Sequence, residues 1–354
     1  MRMHLNDQEA PLAQLEIGVE TFGDVTEDET GTPLPHAQVI RDVVEEAVAA
    51  DQAGLDFFGV GEHHRDDYAV TAPEVVLAAI AARTDRIRLG SAVTVLSSDD
   101  PIRVFERFAT LDALSNGRAE TILGRGSFIE SFPLFGFDLA DYEVLFEEKL
   151  ALFAKLLTEE PVSWSGRTRA PLSGTRVFPP TANGLTAWVG VGGSPESVVR
   201  AARHGLPLFL AIIGGNPLAF EPLTRLYHRS LEEFGHAPQR IGAHLHGLVA
   251  DTDEEAAEIL WPHYKRTMDR LGAERGWPPA SRIRFNASAG EDGNLLLGSP
   301  ETVARKMATI AGTLGLSRID IKYSAGTLPH GPMQRSIELL GEKVKPLVLD
   351  MLAD

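Results

Sequence analysis

Short apolar runs and amphipathic stretches alternate along this chain from end to end, and no other feature restricts its fold as much. The apolar runs, rich in β-branched and aromatic residues, read as strands buried on both faces, the habit of parallel sheets. The amphipathic stretches between them read as covering helices. Strands are expected at 15–22, from 55 up to Glu62-His63-His64, and at 87–96, 118–123, 186–191, 207–213, 241–250 and 318–323. Helices are expected at 37–53, 73–83, 101–114, 141–157, 195–203, 217–234, 253–271, 299–314 and 333–352, many opened by Pro, Ser or Asp. About eight strand–helix units in strict order predict an α/β fold, a (β/α)8 TIM barrel, with a doubly wound open sheet as the alternative.

Two stretches break the rhythm. Residues 158–184, after the fourth strand and its helix, carry the Pro, Gly, Trp and Thr of a small β excursion. Residues 272–297, after the seventh, make a Gly/Pro/Asn-containing loop too long for an ordinary connection, which suggests a lid or an added binding segment. Both read as insertions into a single domain spanning 1–354.

Charge and composition then remove whole classes of function. A formal charge of −17 argues against a nucleic-acid or anionic-membrane partner, because the field repels phosphates that no basic cluster invites. Any phosphate bound here must be held by local donors. With no Cys there are no disulfides, thiolate metal sites or Cys nucleophiles. The first residues lack a signal-peptide core, and the longest apolar run, 206–213, is too short to span a bilayer, so a cytoplasmic protein is expected.

In a barrel, chemistry sits at the carboxyl ends of the strands, and three such ends carry polar groups. The first is Glu62-His63-His64, where one acid and two imidazoles can move protons. Strand alternation would put Glu62 and His64 on one face and His63 on the other. The second is Gly124-Arg125-Gly126-Ser127, and the third runs from Gly192 and Gly193 through Ser194 to Ser197. Two glycines let a backbone approach a ligand, Ser194 and Ser197 offer hydroxyls, and Pro195 opens a helix whose free N–H groups face the strand end. Taken alone this is a well-capped helix. With Arg125 beside it, a bidentate cation completes a phosphate site. His244 and His246, two apart on one strand, could join Glu62 in a metal-dependent hydrolase, or form a hydrogen-bonded pair lining a pocket.

The motifs GEHH at 61–64, GSAV at 90–93, DPIR at 100–103, LDALSNGR at 111–118, GRG at 124–126, GGSPES at 192–197 and GSPETV at 298–303 resemble, in order and spacing, the bacterial-luciferase-like flavin-dependent monooxygenases. The likeness covers nearly the whole chain. It implies a (β/α)8 barrel that binds reduced FMN, or less often the deazaflavin F420, at the strand ends. It implies that Glu62 positions the flavin, that His63 or His64 assists oxygen chemistry, and that Ala92-Val93 is a non-prolyl cis peptide beside the isoalloxazine. It further implies that Arg125, Ser194 and Ser197 hold the phosphate. Gly124 stands where the luciferase large subunit has a bulkier residue near the flavin edge, and Ser127 and Ser131 also depart from its pattern, so light emission is not implied. The implied reaction adds O2 to reduced FMN, giving a C4a-hydroperoxide that oxygenates a small organic substrate. A separate flavin reductase and a homodimer go with it. The other expectations are an F420-dependent oxidoreductase of the same fold, a flavin-binding protein without turnover, and the metal-dependent hydrolase.

Overall fold

Eight parallel strands close on themselves. The computed structural model describes residues 15–126 and 128–353. The barrel strands of the first half are β1 (Glu16–Thr21), β2 (Phe57–Val60), β3 (Arg88–Val95) and β4 (Ala119–Gly124). A two-stranded antiparallel hairpin, β5 (Val162–Trp164) and β6 (Leu172–Thr175), follows as a separate sheet. The barrel continues with β7 (Thr186–Val191), β8 (Leu208–Ala211) and β9 (Ile241–Val249), skips the short β10 (Leu296–Gly298), and ends with β11 (Arg318–Lys322). Pairing of β8 with β9, of β9 with β11 and of β11 with β1 closes the ring, and β10 lies along the upper end of β9. The closed barrel, not the open sheet, is therefore the architecture.

Alternation along each strand decides what faces where. On β1, Ile17 and Val19 join the large apolar layer between strands and helices, while Gly18 and Glu20 point into the barrel. The lower interior is filled by Phe57, Ile122, Trp188 and Phe209, with Ala92 above them. Arg318 lies over the Phe57 ring at 4.0 Å and the Trp188 ring at 4.5 Å, and ion-pairs with Glu120. The barrel is a packed core at this end.

The covering helices are α1 (His36–Gln52), α2 (Pro73–Ala81), α3 (Pro101–Leu114), a four-residue α4 (Ser131–Leu134), α5 (Tyr142–Leu156), α6 (Pro195–Arg203), α7 (Glu221–Glu233), α8 (Asp253–Arg275), α9 (Arg282–Ala289), α10 (Pro300–Leu314), α11 (His330–Leu339) and α12 (Lys345–Ala353). Asp100, Ser194, Thr252 and Ser299 cap the helices they precede by accepting from backbone N–H groups, as side chains of this type do. Among the described residues no helix is long and apolar enough to cross a membrane.

The hairpin β5–β6 occupies the first insertion as expected. The second, 272–297, is more regular than its composition suggests. Helix α8 runs on to Arg275 and stops on Gly276 at φ 71°, the left-handed turn that ends helices. Helix α9 follows, capped by Ser281, and then β10. Phe285 alone of α9 is buried, so the apolar period that would announce a helix is missing. The last expected helix is split by a π-helical turn at Leu340–Val344.

Candidate active site

Beyond Val60 the chain passes through Gly61, where a Cβ would lie 2.3 Å from Phe22 Cδ1 and 2.8 Å from the Ala92 carbonyl oxygen. Only glycine lets the strand leave the barrel so close to both. Glu62 and His64 then share a side, as the two-residue period predicts. His64 Nε2 lies 2.8 Å from Glu62 Oε1, and Val95 N donates to Glu62 Oε2 at 3.2 Å. His63 turns the other way, into a cage of Phe22, Tyr68 and Phe128 at ring separations of 4.8, 4.5 and 4.9 Å. The residue is half-buried, but its Nε2 is wholly enclosed and has no hydrogen-bond partner among the described residues. Desolvation holds the imidazole down at about 3, outweighing the nearby Asp24 charge that pulls the other way. At neutral pH this ring is uncharged.

Phe128 covers the trio. Between its ring and the strand end, Glu62, His63, His64 and Val95 help enclose a cavity of about 10 Å³, room for no more than one water. Arg65 lies over the Phe128 ring at 4.6 Å and Arg275, from the end of α8, at 5.3 Å. Arg65 also donates to Glu130 at 2.8 Å and, from both terminal nitrogens, to Glu274 at 2.7 and 3.0 Å. The start of the second insertion is thus tied to the β2 end by a forked ion pair. Arg65 and Glu274 are 209 residues apart, and nothing in the sequence joins them.

At the third strand end, Gly193 sits at φ 109°, where side chains are strained, and delivers Ser194 to the head of α6. Ser194 Oγ donates to Ser197 Oγ at 2.8 Å and accepts from Ser197 N at 3.3 Å. Arg125, from the end of β4, reaches Ser197 Oγ at 3.3 Å, so Arg125, Ser194 and Ser197 meet as expected. Arg200 arrives at the same hydroxyl at 3.4 Å. The sequence reading passed over it, although its place one turn beyond Ser197 on α6 was the signal. Glu143 holds both guanidiniums, Arg125 at 2.5 Å and Arg200 at 3.0 Å. A Gly192 Cβ would meet nothing within 4 Å, so the mouth is open beside this cluster.

Between the two clusters the peptide Ala92–Val93 is cis, and the β3–β4 register shifts there. Glycines surround it. A Cβ on Gly59 would stand 2.8 Å from Ala92 Cβ, and one on Gly124 2.6 Å from Val93 Cγ2. Ser127 lies outside the described residues. His244 and His246 do share a face, rings 5.3 Å apart, but His244 Nδ1 is bonded to Glu20 while Glu62 takes His64. Among the described residues no group of three or more His, Cys, Asp and Glu side chains is placed to hold a metal.

The model of the luciferase-like monooxygenase family matches residues 16–317. The 4-hydroxyprotoasukamycin monooxygenase of Streptomyces nodosus subsp. asukaensis is 31% identical over 317 residues, covering 84% of this chain and 83% of that protein. Two solved structures share the fold. The monooxygenase RslO1 from Streptomyces bottropensis superposes with a TM-score of 0.80 at 23% identity, over 94% of this chain and 99% of its own. The oxygenating constituent of 3,6-diketocamphane monooxygenase from Pseudomonas putida, a type II Baeyer–Villiger enzyme solved with FMN, gives 0.73 at 21% identity, over 94% and 98%. The chain belongs to the luciferase-like monooxygenase family and is, by that membership, a flavin-dependent monooxygenase.

Proposed function

We propose that the protein uses reduced FMN and O2 to oxygenate a small organic substrate at the mouth of the barrel. The observation that carries this reading is the meeting of Arg125, Arg200, Ser194 and Ser197 at the head of α6, beside the Ala92–Val93 peptide on which Gly59 and Gly124 pack. The residues present fit the cofactor. A flat ring system needs close backbone approach, which the open space at Gly192 offers, while Gly59 and Gly124 let neighbouring strands close tightly on Ala92 and Val93. A phosphate dianion needs two cations and several donors, which the α6 cluster holds ready.

Reduced FMN, when bound, supplies the two electrons that activate O2, one oxygen atom entering the substrate and the other leaving as water. The chain's own residues do the rest. Arg125, Arg200, Ser194 and Ser197 hold the phosphate, with Gly192 and Gly193 giving backbone access, while Glu143 yields its place on the guanidiniums. Ala92, Val93 and Gly124 set the plane of the ring. Glu62 orients His64 through the 2.8 Å contact at Nε2, which leaves Nδ1 as the nitrogen that moves a proton. His63, enclosed and uncharged, acts as a wall that excludes water. The substrate face is formed by 23–35, 212–216 and the second insertion. A single domain, a cytoplasmic location, a separate reductase and a homodimer complete the proposal.

The test is anaerobic titration of the apo-protein with reduced FMN and, in parallel, reduced F420. Reduced FMN is expected to bind more tightly. Arg125→Ala and Ser194→Ala should each weaken it about tenfold or more, the scale of a lost charge-assisted hydrogen bond. Binding of neither flavin, or binding indifferent to both substitutions, would discard the reading.

A further inference from the structure

The interior of the barrel carries a charged column that the mechanism above does not use. Directly under the mouth, Glu20 of β1 and His244 of β9 are joined by a 2.5 Å bond between Oε2 and Nδ1. Their side chains are 2% and 7% exposed. Glu20 Oε1 has no hydrogen-bond partner among the described residues, and neither does either oxygen of Asp320 on β11. Arg318 Nε lies 3.2 Å from Asp320 Oδ2, at ion-pair distance but without hydrogen-bond alignment. Burial pushes the Asp320 carboxyl well above the ordinary range. Arg318 opposes this, and the Glu20 and Glu120 charges add to it. Of the Glu20 and Asp320 carboxyl groups, Glu20 is the one bonded to His244.

The pair lies against the floor of the site. The Cβ missing from Gly59 would be 2.9 Å from Glu20 Cγ and 2.8 Å from Ala92 Cβ, so Glu20 and Ala92 are separated by about the width of a methyl group. The His244 ring is parallel to Phe22 at 6.0 Å, and Phe22 in turn touches His63 at 4.8 Å. The hydroxyl and carboxylate of Ser324 and Asp24 satisfy Lys322, the one cation reaching this level from β11, so its charge is spent elsewhere. His244 Nε2 has no partner among the described residues and is not among the enclosed polar atoms. Stability does not explain the arrangement, because apolar residues of the same volume would serve a barrel interior as well or better than a buried ion pair.

We propose that His244 is a second proton-transfer residue of the monooxygenase, acting at Nε2 on the barrel side of the floor formed by Ala92, with Glu20 its positioning residue. Reduced FMN carries both the electrons and the protons that turn one oxygen atom into water, so what the protein adds is a relay of a proton to the departing oxygen, a task the uncharged, enclosed His63 does not perform. In the assigned step the bond between Nε2 and its proton breaks and a bond from that proton to the departing oxygen forms. The ring is left neutral with its remaining proton on Nδ1, shared with Glu20, and regains the other from solvent at the mouth. No electrons move through the imidazole.

The assignment rests on the flavin reading above, and the experiment separates the two. Protein carrying anaerobically reduced FMN is mixed with air-saturated buffer, and flavin absorbance and hydrogen peroxide are followed without an organic substrate. His244→Gly is expected to slow reoxidation at least tenfold while the dissociation constant for reduced FMN stays within twofold, and added imidazole should restore the rate. His244→Gln keeps a donor for Glu20 and checks the fold; it should be equally slow and not respond to imidazole. In flavin-free protein, ¹⁵N spectra of the ring should show the proton on Nδ1, a preference that Glu20→Gln abolishes. Reoxidation at the wild-type rate in His244→Gly, or a slow rate that imidazole leaves unchanged in a folded variant, would overturn the assignment. Failure of the wild-type protein to bind reduced FMN would overturn the function, and this assignment with it.

Discussion

His63 contributes to the acid sensitivity of the protein, as does His246, whose imidazole desolvation also depresses. The folded-state value of His63 is depressed to about 3, so below about 6.5 the unfolded chain binds a proton that the folded chain refuses. The contribution is therefore complete above pH 6.5 and is lost as pH falls toward 3, up to about 5 kcal/mol by the usual conversion of a shift into free energy. His63→Leu should flatten the fall of melting temperature between pH 7 and pH 4; an unchanged slope would show that the ring is not desolvated. The parity that sends His63 into the aromatic cage and sets Glu62 beside His64 was legible in the sequence, because strand alternation needs only counting. The cage itself was not. Phe22, Tyr68 and Phe128 come from three different loops or strand ends, and nothing in their local composition says that they meet.

At the scale of elements, the cover over the site is a joint between the loop after β2, the segment leading into α4 and the end of α8. Its strength is concentrated in Arg65, whose side chain is 8% exposed and serves Asp67, Glu130 and Glu274 together. Arg65→Ala should release the joint locally. Amide exchange at 128–134 and 274–276 is expected to rise about tenfold or more, while the global melting temperature falls only a few degrees. Equal loosening throughout the barrel would contradict this. Element order and type were readable because most barrel strands are short runs rich in apolar and β-branched residues and most helices carry caps or prolines at their starts. Helices α4 and α9 escaped notice for opposite reasons. The first is a single turn, and the second buries one residue, so neither imposes a period on its sequence.

The whole molecule is held at its base by a buried charge cluster. Burial alone would raise the Glu120 carboxyl, but Arg318 and Arg88 outweigh it and hold it at about 2, and Trp188 Nε1 also donates to it at 3.2 Å. Its contribution is present above the ordinary carboxylate value and is lost as pH falls through about 2. Glu120→Gln leaves Arg318 buried without its partner, and unfolding should be easier by about 3–5 kcal/mol; a loss below 1 kcal/mol in denaturant titration would show the cluster to be slack. Closure of eight units into a ring was legible from their number, yet the charges inside it were not, since nothing in the local sequence says that Arg318, Asp320 and Lys322 point inward. Arg318 and Asp320 fill the base together with Phe57, Trp188 and Phe209, while Lys322 lies higher, against Asp24 and Ser324. A vessel sealed at its base has one doorway. In the proposed reaction the cofactor, oxygen, substrate and product therefore share that one approach.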